Sequence, residues 1–173
     1  MTFFQKIELL LLLDTFGHNL HAHELGHGFG LPHCDEPAHQ KRYGESLMGS
    51  GNYTWRQELR GKGKGSFLLD TDALFLISRP PFAGRTRDLD KKPDAWVAGL
   101  RLEQGDNRSI RVSGTVHSDI PVYAVKVFDD PPDNSDYNAV CRVAMPDAKT
   151  GEFVVDFTPL AKLGEHQLRI VLY

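Results

Sequence analysis

The sequence predicts an α+β chain, a helical N-terminal part followed by a small antiparallel β-sandwich. Two observations lead there. Between His23 and His33 the histidines recur at helical spacing and the glycines mark a turn. From Trp96 onward the texture changes: short alternating segments recur between turn signals, with no helical period among them. The expected division is a helical domain over residues 1–80, a linker over 81–94 and a sandwich over 95–173.

Length and composition set the bounds. A chain of 173 residues holds one or two small domains. An apolar fraction of 40% and a charged fraction of 25% are those of a globular protein. The net charge of −3 gives no electrostatic reason to expect nucleic acid or an anionic membrane surface as a partner. Cys34 and Cys141 lie too far apart in sequence to suggest a disulfide framework, and Cys34, directly after His33, reads as a small buried residue rather than a second metal group.

Phe3 to Phe16 reads as a helix, because its apolar residues show no strand alternation. Its run Ile7 to Leu13 is too short to span a bilayer, contains Glu8 and lacks a small-residue cleavage site downstream. It reads as an amphipathic or buried helix, neither a membrane span nor a signal peptide. Gly17 breaks it, and Asn19 is placed to cap the next helix, expected over about 19–29. Leu20, Leu25 and Phe29 are its expected core-facing residues.

That helix carries the chemistry. His23 and His27, four residues apart, lie one turn apart on one face and can share a metal ion. Glu24, offset by one residue, can stand beside a metal-bound water without ligating the metal, the place of a general base. His33 is too far along to share the face, so the chain must turn, and Gly30 lies where the turn is needed. Pro32 keeps the helix from restarting. Three protein ligands leave one position open, as catalytic zinc sites do.

The pattern His23-Glu24-x-x-His27-x-x-Gly30-x-x-His33 resembles that of the metzincin clan of zinc peptidases, in its matrixin-like and serralysin-like flavour. The resemblance implies that His23, His27 and His33 bind Zn2+ and that Glu24 polarises the water. It also implies that Ser46-Leu47-Met48-Gly49 forms a methionine turn with Met48 beneath the metal. In some metzincins a tyrosine two residues after that methionine reaches the zinc. Here the slot is Ser50, and Tyr53 comes five residues after Met48, so Tyr53 ranks only as a secondary candidate for holding the oxyanion, its plainer role being packing. The resemblance further implies a twisted sheet ahead of the active-site helix, with an edge strand that pairs with substrate. Twenty-two residues cannot hold several strands. The expectation is a fragment of a longer protein or a misassigned or degenerate start, the remaining alternative being a partner that completes the fold.

Residues 34–65 are polar and glycine-containing, and read as mostly irregular, lining the lower wall of a cleft. The run Arg60 to Ser66 lacks phosphate-loop spacing and reads as a solvated loop. Phe67 to Ser78 reads as a closing helix capped by Asp70 or Thr71, ended by Pro80-Pro81. The sandwich strands are expected at Val97–Leu102, Ser109–Val116, Val122–Phe128, Val140–Ala144, Phe153–Phe157 and Gln167–Leu172, in an immunoglobulin-like arrangement. The acidic loop Asp129 to Asp136 lacks EF-hand spacing and reads as solvated rather than calcium-binding. Trp96 and Tyr123 read as core aromatics rather than as a sugar platform.

The function implied by the resemblance is a zinc metalloendopeptidase in which Glu24 and a zinc-bound water hydrolyse a peptide bond of a protein or peptide substrate. The alternative is a catalytically impaired zinc-binding remnant whose β-sandwich acts as a protein- or carbohydrate-binding module. Family resemblance favours a secreted or extracytoplasmic protein.

Overall fold

The computed structural model describes residues 19–79, 81–82, 93–131, 136–160 and 162–173. The expected helix over Phe3–Phe16, the break at Gly17, most of the linker and the centre of the acidic loop lie outside these residues. So do the side chains of Asn19 and Leu20. The chain divides into two compact units, one drawn from the stretch up to Thr86 together with Asp136–Asn138, the other from Arg87–Ser135 and Ala139–Tyr173. Among the described residues no helix is long and apolar enough to cross a membrane.

Among its described residues the first unit has three α-helices and one short strand pairing. Helix α1 spans Asn19–Gly28. Strands β1, Glu45–Ser46, and β2, Ser66–Phe67, pair in parallel. Between them runs helix α2, Gly51–Leu59, and after them helix α3, Asp70–Ile77.

Leu25 and the start of the third helix depart from the sequence expectation. Leu25 is exposed, because the inward face of α1 carries His23 and Gly26 instead. Phe29 is partly buried, its ring 5.0 Å from that of Phe82. Residues 34–65 are mostly turns and irregular chain, as expected, but they also hold α2, a helix the sequence did not predict. Its sequence, Gly-Asn-Tyr-Thr-Trp-Arg-Gln-Glu-Leu, offers too few apolar positions to show a stripe. Helix α3 begins three residues later than expected, and neither Asp70 nor Thr71 caps it. Leu69 occupies the N-cap position, and the Asp72 carboxylate accepts its N–H at 3.1 Å. This is the reach-back half of a capping box, and it accounts for a buried aspartate at the third position of a helix.

The second unit is the β-sandwich. One sheet has the order β3-β4-β7 and the other β6-β5-β8. The strands are β3, Ala95–Gly105; β4, Ser109–Ser118; β5, Val125–Asp130; β6, Val140–Ala144; β7, Glu152–Phe157; and β8, Gln167–Leu172. All pairings within the two sheets are antiparallel. Val112 from β4, Val125 and Val127 from β5, and Phe153, Val155 and Phe157 from β7 form the core with Leu160. These residues alternate along each strand, so the same period of two that marks the strands in the sequence builds the core.

Strand β5 departs from simple alternation, for Lys126 and Phe128 are as buried as Val125 and Val127. The Lys126 ammonium lies 5.2 Å from the Phe128 ring and 5.5 Å from the Tyr173 ring, where aromatic faces offset part of its desolvation. Asp129, expected in a solvated loop, is instead buried at the end of β5 and bonded to His166 at 2.6 Å. Trp96 is not a core residue. In the β3–β4 register it lies opposite His117, on the outward face, where it is 53% exposed and stacks on that imidazole at 5.3 Å.

Candidate metal centre

The geometry of the centre starts with the end of α1. The Leu31 N–H donates to the Gly26 carbonyl at 2.9 Å and the Gly30 N–H to the His27 carbonyl at 2.7 Å. This pair of bonds is a Schellman motif, which needs a left-handed residue at its C′ position. Gly30 supplies it, with φ of +86°. The chain reverses there, and three residues later His33 comes back to the helix face that holds His23 and His27.

The three imidazoles converge. Their Nε2 atoms form a triangle with sides of 3.0, 3.1 and 3.2 Å. His23 Nδ1 lies 2.7 Å from the Leu47 carbonyl and His27 Nδ1 lies 2.8 Å from the Leu31 carbonyl. A carbonyl only accepts, so both Nδ1 atoms carry the hydrogen and both Nε2 atoms present bare lone pairs. Burial holds His23 below the ordinary imidazole value of 6.5. The Leu47 carbonyl opposes this, and the neighbouring His27 and His33 reinforce it. The neutral ring is the form that ligates a metal.

Lone pairs directed at one point repel unless a cation occupies it. Tetrahedral ligands at about 2.05 Å from zinc stand roughly 3.3 Å apart, close to the observed triangle. The residues present thus fit a metal ion, and His23, His27 and His33 form the group that could hold one.

The turn Ser46–Gly49 meets α1 through the His23–Leu47 bond and is closed by a bond from the Gly49 N–H to the Ser46 carbonyl at 3.0 Å. Met48 is completely buried there. A methyl group at position 26 would stand 2.5 Å from its Sδ, which explains a glycine in the middle of α1. The turn is tied on three sides. Cys34 N–H donates to the Met48 carbonyl at 3.2 Å, Leu47 N–H to the Phe67 carbonyl at 2.8 Å, and Ser46 N–H to the Glu36 carboxylate at 2.8 Å. Burial pushes the Glu36 carboxyl above its ordinary 4.5, opposed by the Ser46 N–H and reinforced by Asp35.

Glu24 follows His23 on α1 and is exposed. Tyr53 is 71% exposed on α2, which leaves it no packing role. Two residues of this region had no signal in the sequence. Glu36 is one acid among several in a polar loop. Tyr137, in the short 3-10 turn Asp136–Asn138, lies more than a hundred residues beyond the motif, yet its ring stacks on His33 with centroids 3.7 Å apart.

No protein-family model matches the sequence, and neither does any curated protein. Solved structures do. Wild-type OgpA from Akkermansia muciniphila matches with a TM-score of 0.70 at 27% identity, over 88% of this chain and 48% of that one. A second crystal form gives a TM-score of 0.68 at 28% identity, over 88% and 46%. Catalytically inactive OgpA, solved in complex with an O-glycopeptide (glycodrosocin) substrate, gives 0.65 at 25%, over 88% and 47%. The chain spans about half the length of the structures it matches.

Proposed function

We propose that this chain carries the metal-binding core of a zinc-dependent peptidase and that its substrate is an O-glycosylated peptide. The observation that carries the first part is the convergence of three Nε2 atoms, two of them held as lone-pair donors by carbonyl bonds, next to an exposed glutamate. The likeness to OgpA, an enzyme solved with an O-glycopeptide substrate, supports the second.

His23, His27 and His33 would hold the zinc ion, which would supply a Lewis acid able to lower the pKa of water toward neutrality. The remaining steps belong to the protein. Glu24 takes a proton from the attacking water and returns it to the leaving amine. The Leu47 and Leu31 carbonyls keep His23 and His27 in the ligating tautomer and raise their basicity. Met48, enclosed beneath Gly26, holds the floor of the site in place. Three histidine ligands without a fourth protein ligand would suit a catalytic rather than a structural site.

The test is cleavage of an O-glycopeptide and of its unglycosylated twin by the chain and its Glu24→Ala variant. The expected result is cleavage of the glycosylated peptide, lost in the variant. Equal cleavage by both proteins would remove Glu24 from the mechanism. Equal cleavage of both peptides would remove the glycan from the substrate class.

A further inference from the structure

Each of the two helical imidazoles is oriented through its far nitrogen, which donates to a carbonyl. His33 sits in the loop after the Schellman turn. It carries a contact of another kind. The Tyr137 ring stacks on it with centroids 3.7 Å apart and planes 25° apart. The same ring lies within 2° of parallel to His23, at 5.8 Å. Tyr137 groups with the first unit, although the chain on either side of its turn belongs to the second.

We propose that Tyr137 is the positioning residue of the third metal ligand, its ring face setting the tilt that brings His33 Nε2 to the other two. The proposal rests on the reading of the three histidines as a metal site. Its physical basis is twofold. A close ring face leaves the imidazole little freedom to rotate out of line, and the tilt decides whether a lone pair reaches the common point. Ligation also withdraws electron density from the imidazole, and an electron-poor ring stacks more strongly on an electron-rich phenol. Binding of metal and seating of Tyr137 then reinforce each other. The second half of the sequence contributes a residue to a centre whose ligands all lie in the first forty.

The experiment is a titration of the metal-free full chain with cobalt(II), following the visible ligand-field spectrum, for the wild type, Tyr137→Phe, Tyr137→Leu and Tyr137→Ala. Far-ultraviolet circular dichroism monitors the fold. Tyr137→Phe keeps a ring and is expected to bind as the wild type does. Tyr137→Leu, which keeps bulk without the ring face, is expected to lose about 10–100-fold in affinity, the usual cost of removing an orienting partner. Its spectrum should shift, as a displaced ligand changes the coordination geometry. Tyr137→Ala should lose at least as much. Wild-type affinity and spectrum in a folded Tyr137→Leu protein overturn the positioning role and leave the metal site standing. Failure of the wild type to bind cobalt overturns both.

Discussion

The two units of this chain both bury apolar residues but differ in the polar groups they bury with them. The sandwich is built on an apolar cluster in which Val112, Val125, Val127, Phe153 and Phe157 are each no more than 3% exposed. In the first unit the buried residues include His23, Glu36, Gln40, Ser46 and Asp72. Polar groups are costly to bury and must find partners. His23 does so on Leu47 and Glu36 on Ser46 at the metal centre, and Asp72 on Leu69 at the start of α3. The first unit also buries Leu31, Met48, Leu69, Phe75 and Leu76, and the sandwich also buries Lys126 and Asp129, so the contrast lies in the first unit's polar groups serving a site.

That contrast can be tested by substitution, and the largest stability effect belongs to the apolar unit. Phe153→Ala deletes a buried ring from the core of the sandwich and is expected to cost about 3–5 kcal/mol, read by denaturant unfolding. A loss below about 1 kcal/mol would mean that the cluster does not carry the unit.

The next effect belongs to the polar unit. Glu36→Ala leaves the buried Ser46 N–H without its acceptor and is expected to cost about 1–3 kcal/mol. Glu36→Gln keeps an acceptor and removes the charge. The Glu36 pKa is raised by burial, so the native state binds its proton more tightly than the unfolded state does. Wild-type stability therefore falls as pH rises from the ordinary value through the raised one. Glu36→Gln should be the more stable protein at neutral pH, and the two should converge below about pH 4. A Gln variant that is less stable at pH 7 would show that the carboxylate charge itself is needed there.

Gly26→Ala sharpens the contrast, because local propensity and site geometry predict opposite signs. Alanine in a helix interior stabilises by roughly 0.8–1.0 kcal/mol relative to glycine. Here the new methyl meets Met48 Sδ. Methionine is flexible, but this one is fully enclosed, so the net result is a loss of about 1 kcal/mol. A gain in thermal midpoint would show that Met48 does not pack against α1 as described.

The smallest effect is expected on the outer face of the sandwich. Arg111 and Asp156 form a two-bond pair at 2.8 and 3.1 Å with both side chains about half exposed. Arg111 holds the Asp156 carboxyl below the usual range, so any stabilisation would be present above that range and lost as pH falls. Solvent and salt screen such a pair, and Arg111→Ala should leave the thermal midpoint unchanged within error. A clear, salt-sensitive drop would show that this pair is not screened.

The same contrast explains what was legible in the sequence. Strands β6 and β8 lie where alternation puts them, because in this unit the core and the period of two are one fact. The end of α1 was legible for a different reason: few residues other than glycine tolerate the conformation that Gly30 adopts. Helix α2 was not, since its nine residues carry no apolar stripe. Leu25 was misplaced inward for the opposite reason. Its side chain is apolar, but the buried face of α1 is claimed by His23 and by the approach of Met48 to Gly26. Trp96 likewise faces outward because register, not hydrophobicity, decides the face of a strand. The stacking of Tyr137 on His33 joins residues distant in sequence, and no local pattern announces it.

The central claim is that three histidines of the polar unit exist to hold one metal ion. Its most direct test is the metal content of the chain purified without chelator, alongside His27→Ala and Glu24→Ala. The account predicts one zinc per chain in the wild type and in Glu24→Ala, and none in His27→Ala. A folded wild-type chain without stoichiometric metal, or a His27→Ala chain that retains it, would contradict it.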